Sequence, residues 1–173
     1  SKRRYAQVGL GGRHVMFREA VLETFSGANE MTALCDSNEG RLKLAREAVR
    51  AKHGADLPGY AAEDFDRMVA ETRPDAVIVT TRDSFHDRYI CRAMELGCDV
   101  ITEKPMTTDE AKCRRIIETR HRTGKTCRVT FNYRYAPPRT QVKDLLMSGV
   151  IGEVLSVDFT WLLDVHHGAD YFR

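Results

Sequence analysis

Residues 5–14 read Tyr-Ala-Gln-Val-Gly-Leu-Gly-Gly-Arg-His, and this stretch decides the fold. Tyr5 to Leu10 has the apolar character of a strand, and glycines follow it without a gap. Gly9 allows a tight turn out of the strand. Gly11 lets a pyrophosphate approach the backbone at the positive end of the following helix. Gly12 and Arg13 complete the loop. The usual pattern places a third glycine where this chain has His14, a departure that loosens the expected closeness of helix and strand. An ordinary glycine turn in an α/β protein looks the same up to this point.

The second strand narrows the choice. Met31 to Cys35 is apolar and is closed by Asp36, some twenty residues beyond the loop. A carboxylate there accepts hydrogen bonds from an adenosine ribose and repels a 2′-phosphate, which favours NAD. Arg13 and Arg41 stand near enough in sequence to pair with a phosphate, so NADP stays open. Ser37 follows Asp36 in the same turn, and Ser37 and Asn38 already offer caps for the next helix.

Further along, short apolar runs alternate with amphipathic ones. Helices are expected over 14–25, 38–53, 64–71, 84–96 and 108–122. Strands are expected over 76–80, 99–102 and 127–131, with a short one inside 57–61. Ala76-Val-Ile-Val-Thr80 is continuously apolar, as a strand buried on both faces should be. Gly97 and Gly124 are placed to end their helices. This alternation predicts a doubly wound parallel sheet covered by helices on both faces.

The pattern changes after Asn132. Pro137-Pro138 precedes a helix over about 139–148, and Gly149 and Gly152 open a long strand over 153–163. Leu155, Val157, Phe159 and Trp161 alternate with Ser156, Asp158 and Thr160, the pattern of a sheet with one wet face. The chain therefore divides into a dinucleotide-binding domain, 1–132, and the beginning of an incomplete second α/β domain, 133–173.

Composition sets limits on function. The chain has 173 residues, 42% of them hydrophobic and 30% charged, as in a folded soluble domain. No apolar run approaches the roughly 18 residues of a membrane span. The formal charge of +2 makes no case for nucleic acid, and the basic stretch from Arg114 to Lys125 reads as a solvated helix face. Five cysteines without a C-x-x-C pair argue against a disulfide framework or a structural zinc site. The amino end enters a strand at once with no apolar signal region, so the expected compartment is the cytoplasm.

Three more segments lie at carboxyl ends of expected strands, where open parallel sheets bind ligands. They are Val79-Thr-Thr-Arg-Asp-Ser-Phe-His86, Glu103-Lys-Pro105 and Phe131-Asn-Tyr-Arg-Tyr135. With these and Gly149-Val-Ile-Gly-Glu-Val154, the chain resembles the Gfo/Idh/MocA family along essentially its whole length. The resemblance implies a Rossmann domain, then an α/β domain with a large open sheet. It implies hydride exchange between a nicotinamide and a sugar, cyclitol or related polyol. On this match Lys104 touches the reacting hydroxyl or carbonyl and serves as acid–base group, and Glu103 holds the nicotinamide ribose. Thr80, Thr81, Ser84 and His86 match the loop beside the cofactor, although Arg82 replaces a frequent proline. Asn132 and Arg134 match positions near the nicotinamide end. His86 also reads as a simple helix start, and Trp161 as packing.

The family's other acid–base pair, an aspartate and a histidine on a second-domain helix, is expected beyond Arg173. Asp170 does not replace it by motif, and His166 and His167 fit substrate contacts or an exposed loop equally. The chain thus reads as the amino-terminal part of an oxidoreductase, inactive by itself, pairing with a second copy through the second-domain sheet. The alternative is a non-catalytic dinucleotide sensor or assembly module, which would have no need of Lys104.

Overall fold

The structure, a computed structural model, describes residues 1–162 and Val165. Six strands form a single parallel sheet in the order β3-β2-β1-β4-β5-β6. They are β1 (Arg3–Val8), β2 (Asn29–Asp36), β3 (Gly59–Ala61), β4 (Ala76–Val79), β5 (Asp99–Glu103) and β6 (Cys127–Thr130). The order reverses between β1 and β4, leaving a crevice at their carboxyl ends. Val8 sits between Cys35 of β2 and Val79 of β4, so the strands end level at that crevice. This is the doubly wound Rossmann fold.

Alternation of side chains across the sheet builds two cores. Ala6, Val8, Val77 and Val79 face α3 (Phe65–Thr72) and α4 (His86–Glu95), packing with Met68, Ile90 and Met94. Leu34 and Ile78 point the other way, onto Phe17 of α1 (His14–Glu19) and Val49 of α2 (Glu39–His53). Each such side chain contributes about 1.5–3 kcal/mol when fully buried. Cys35, Cys91 and Cys98 belong to the first core, and burial pushes the Cys35 thiol up to about 12.

Local signals set the helix ends. Asn38 caps α2 by accepting the Arg41 N–H at 3.0 Å, and Gly54 closes it with φ +66°. Asp109 does the same for α5 (Glu110–Thr123), accepting from Lys112 N at 2.9 Å, with Gly124 at the far end. Two expected helices begin or end differently. After Glu19 the chain forms a π-helical turn over Ala20–Thr24, where Phe25 N bonds Ala20 O at 2.9 Å. Asp83–Phe85 is a 3₁₀ turn, so α4 begins at His86.

The chain divides into two compact units, the first ending at Thr130 and the second beginning at Phe131. The second holds α6 (Pro137–Met147), with proline at its first turn, and two turns at Gly149 and Gly152, both at φ +73°. The expected long strand over 153–163 is not formed across its described part, 153–162. A strand exists only by pairing its backbone groups, and none of the five ladders includes this segment. Leu155, Val157 and Phe159 are accordingly 87%, 79% and 75% exposed. His166, His167 and Asp170 lie outside the described residues.

Candidate functional site

The loop after β1 is built by its neighbours as much as by its glycines. Gly9 has φ +87°, and a Cβ there would lie 2.5 Å from the Thr81 nitrogen. Only glycine allows β1 and β4 to end this close. Gly11 differs: a Cβ there would meet nothing within 4 Å. The space over Gly11 is open, as backbone approach by a pyrophosphate requires. Gly12 and Arg13 are exposed beside it.

Asp36 holds this loop. Its Oδ2 accepts the Leu10 N–H at 2.5 Å and its Oδ1 accepts the Asn38 N–H at 2.7 Å. The carboxylate is buried, and two oxygens leave further lone pairs for a ribose hydroxyl. Ser37 and Arg41 are exposed next to it, with the Arg41 N–H used in the α2 cap.

His14, which stands where a third glycine is usual, has a defined task. Its Nδ1 lies 2.6 Å from the Gly11 carbonyl, and its Nε2 lies 3.3 Å from Arg18 Nη1. A guanidinium only donates, so Nε2 accepts and Nδ1–H donates to Gly11. Burial lowers the His14 pKa below 6.5, against the pull of the Gly11 bond. Buried Gln7 adds a second tie, its Nε2 bonding the His14 carbonyl at 3.1 Å and Thr80 Oγ1 at 3.2 Å. Gln7 and Arg18 were not among the expected site residues. A glutamine amid Tyr5-Ala-Gln-Val was the available signal for the first.

Thr80 and His86, both expected at the cofactor, take supporting positions. Thr80 is buried and its hydroxyl donates to the Gly9 carbonyl at 2.5 Å. His86 is fully buried, with Nδ1 2.8 Å from the Pro105 carbonyl and Nε2 2.9 Å from the Thr81 carbonyl. Thr81 is half-buried at the loop surface, and Ser84 is exposed.

Glu103 ends β5 only 4% exposed. Its Oε1 accepts from Arg13 Nη2 at 3.1 Å and from Thr130 Oγ1 at 3.3 Å. The glycine loop is thus joined across the crevice to the end of β5. Lys104 follows, half-buried, and is joined to Pro105 by a cis peptide bond. Asn132 and Arg134 are exposed residues of the second unit. A groove of about 720 Å³ between α3, α4 and α5 lies on the helical face instead, where Arg92 pairs with Asp66, Arg122 with Glu95 and Arg115 with Asp87.

A glycine loop over open space and a carboxylate at the end of β2 are the features by which a Rossmann fold takes a dinucleotide, and Glu103-Lys-Pro105 lies at the end of β5 on the same edge of the sheet. Residues 3–131 match the family GFO_IDH_MocA, described as an oxidoreductase family with an NAD-binding Rossmann fold, and the chain belongs to it. It is 37% identical over 166 residues to YteT of Bacillus subtilis (strain 168), covering 95% of this chain and 38% of that protein. It is 34% identical over 158 residues to Glycosyl hydrolase family 109 protein 1 of Akkermansia muciniphila, covering 89% of this chain and 32% of the relative. Inositol 2-dehydrogenase 2 of Saccharopolyspora erythraea is 30% identical over 164 residues, covering 94% of this chain and 43% of its own length. Among solved structures, the WlbA dehydrogenase of Chromobacterium violaceum with NADH and UDP-GlcNAcA superposes with a TM-score of 0.73 at 27% identity, over 87% of this chain and 41% of that one. The chain spans about a third to two fifths of the length of these proteins.

Proposed function

We propose that the chain is the cofactor-binding part of an NAD-dependent oxidoreductase that exchanges hydride between nicotinamide and a sugar, cyclitol or related polyol. The observation that carries this reading is the convergence of Gly11, Asp36, Glu103 and Lys104 on the carboxyl ends of β1, β2 and β5. Open space above Gly11 and the bound loop of Asp36 fit a dinucleotide. NAD supplies the hydride acceptor when bound.

In this reading the chain's own residues do the rest. The N–H groups at the start of α1 meet the pyrophosphate. Asp36 takes the adenosine ribose, and its charge disfavours a 2′-phosphate. Glu103 takes the nicotinamide ribose. Lys104 orients the reacting hydroxyl, polarises the carbonyl and moves the hydroxyl proton. Asn132 and Arg134 belong to the nicotinamide end, and the unit from Phe131 onward begins the substrate domain. The reading includes a homo-oligomer joined through that domain, a cytoplasmic location, and little turnover by the 173-residue chain alone.

Calorimetric titration of the chain with NAD and NADP tests the cofactor, and no binding of either defeats the reading. In the complete enzyme, Lys104→Ala should lower turnover about 10²–10⁴-fold with NAD affinity kept. Unchanged turnover removes Lys104 from the mechanism.

The 34% identity to the Akkermansia protein supports a second reading, dinucleotide-dependent cleavage of a glycoside. Assays separate the two: a dehydrogenase accumulates NADH as substrate is oxidised, whereas a hydrolase releases free sugar without net NADH.

A further inference from the structure

His86 is the first residue of α4 and is buried between two loops. One follows β4 and contributes the Thr81 carbonyl, 2.9 Å from Nε2. The other follows β5 and contributes the Pro105 carbonyl, 2.8 Å from Nδ1. Carbonyls only accept, so the ring donates in every hydrogen bond it makes here, and a neutral imidazole has one N–H to give. The shorter contact goes to the residue that directly follows Lys104. A second side chain spans the same two loops: Lys112 Nζ lies 3.1 Å from the Ser84 carbonyl and 3.3 Å from Thr108 Oγ1. The segments after β4 and β5 are thus tied together from beneath, by α4 and by α5.

We propose that His86 is a positioning residue for Lys104, its Nδ1–H holding the Pro105 carbonyl and so fixing the Lys104–Pro105 segment against the loop after β4. It acts through the backbone and touches neither cofactor nor substrate. The inference rests on the acid–base role given above to Lys104, but its structural half is testable without it.

Two substitutions divide the ring. Asparagine sets its amide nitrogen near the position of Nδ1 and keeps a donor to the Pro105 carbonyl. Glutamine sets its amide nitrogen near Nε2, facing the Thr81 carbonyl, and leaves Pro105 without a donor. Competitive acetylation of the 173-residue chain, followed lysine by lysine by mass spectrometry, reads the Lys104 segment directly. Lys43 of α2 is the internal reference that reports intact folding.

His86→Asn should leave the Lys104-to-Lys43 reactivity ratio near that of the unsubstituted chain. His86→Gln should raise it about fivefold, the scale of one lost hydrogen bond. Equal ratios in the two variants, or the reverse order, overturn the proposal. In the complete enzyme, His86→Asn should keep kcat and His86→Gln should lose it with KM little changed. Should Lys104→Ala turn over normally, the role of Lys104 fails while the acetylation ratio still decides whether His86 holds the segment.

Discussion

Asp36 accepts the Leu10 N–H at 2.5 Å and the Asn38 N–H at 2.7 Å, one with each carboxylate oxygen. The side chain that reads as the ribose ligand therefore also builds the glycine loop and starts α2. Asp36→Ala should weaken the fold and the cofactor site together, each by roughly 1–3 kcal/mol. Urea unfolding and NAD calorimetry on the same sample measure both. Full stability with lost affinity would confine Asp36 to the ligand.

Gly9 and Gly11 should fail in different ways. Gly9→Ala forces a Cβ to 2.5 Å from the Thr81 nitrogen at a φ of +87°, so the melting temperature should fall by several degrees. Gly11→Val points into open space and should leave the melting temperature unchanged. It should nevertheless abolish NAD binding, because the side chain fills the approach to the backbone. Equal NAD affinity in Gly11→Val and the unsubstituted chain would remove the glycine loop from the site.

Acid should weaken the protein in two stages. His14 is held below its usual 6.5 by burial, so its contribution is complete above 6.5 and fades as pH falls through the lowered value. Glu19 follows at lower pH. Burial alone would raise its carboxyl, but hydrogen bonds from Lys52, Arg18 and His53 outweigh that and bring it from 4.5 to about 2. Its contribution, on the order of 1–3 kcal/mol, is present above 4.5 and lost between there and about 2. Glu19→Gln should therefore melt lower at pH 7, with the gap closing near pH 2. A gap that is constant with pH would sink this account.

Arg13 and Glu103 stand 3.1 Å apart, with Arg13 half exposed and Glu103 buried. A double-mutant cycle of Arg13→Ala and Glu103→Gln, read by urea unfolding, should show a coupling of about 0.5–1.5 kcal/mol. Arg13→Ala alone should cost more than Glu103→Gln alone, since it strands a buried carboxylate. The opposite order would mean that Thr130 suffices for Glu103.

Leu155, Val157 and Phe159 expose an apolar strip that has no ladder partner among the described residues. The chain should self-associate at high concentration through this segment. Phe159→Asp combined with Trp161→Ser should give a monomer that still binds NAD. Light scattering across a dilution series distinguishes the outcomes, and a monomer at every concentration for the unsubstituted chain would count against the strip.

Much of the first unit was legible in the residues because its signals are local. The run Ala76-Val-Ile-Val reads as a strand buried on both faces, Asn38 offers a side-chain cap, and Gly124 marks a helix end through its left-handed backbone. Gly9, Gly11 and Asp36 follow from the strand–turn–helix spacing and the steric demands of a pyrophosphate. Lys104 and Glu103 rested on a resemblance, which a triplet of residues on its own could not replace.

What only the tertiary structure decided involves partners far apart in the chain. Glu103 finds Arg13 ninety positions away because β1 and β5 end on the same crevice. His14 and His86 are ordinary histidines in sequence. Arg18 fixes the tautomer of the first, and two loop carbonyls bury the second behind the site expected to use it. The segment 153–162 shows the limit from the other side: alternation sets which faces a strand would have, but only a neighbouring strand supplies the hydrogen bonds that make it one. Sequence determined the conformations that neighbouring residues prefer, and the assembled sheet determined which polar groups met.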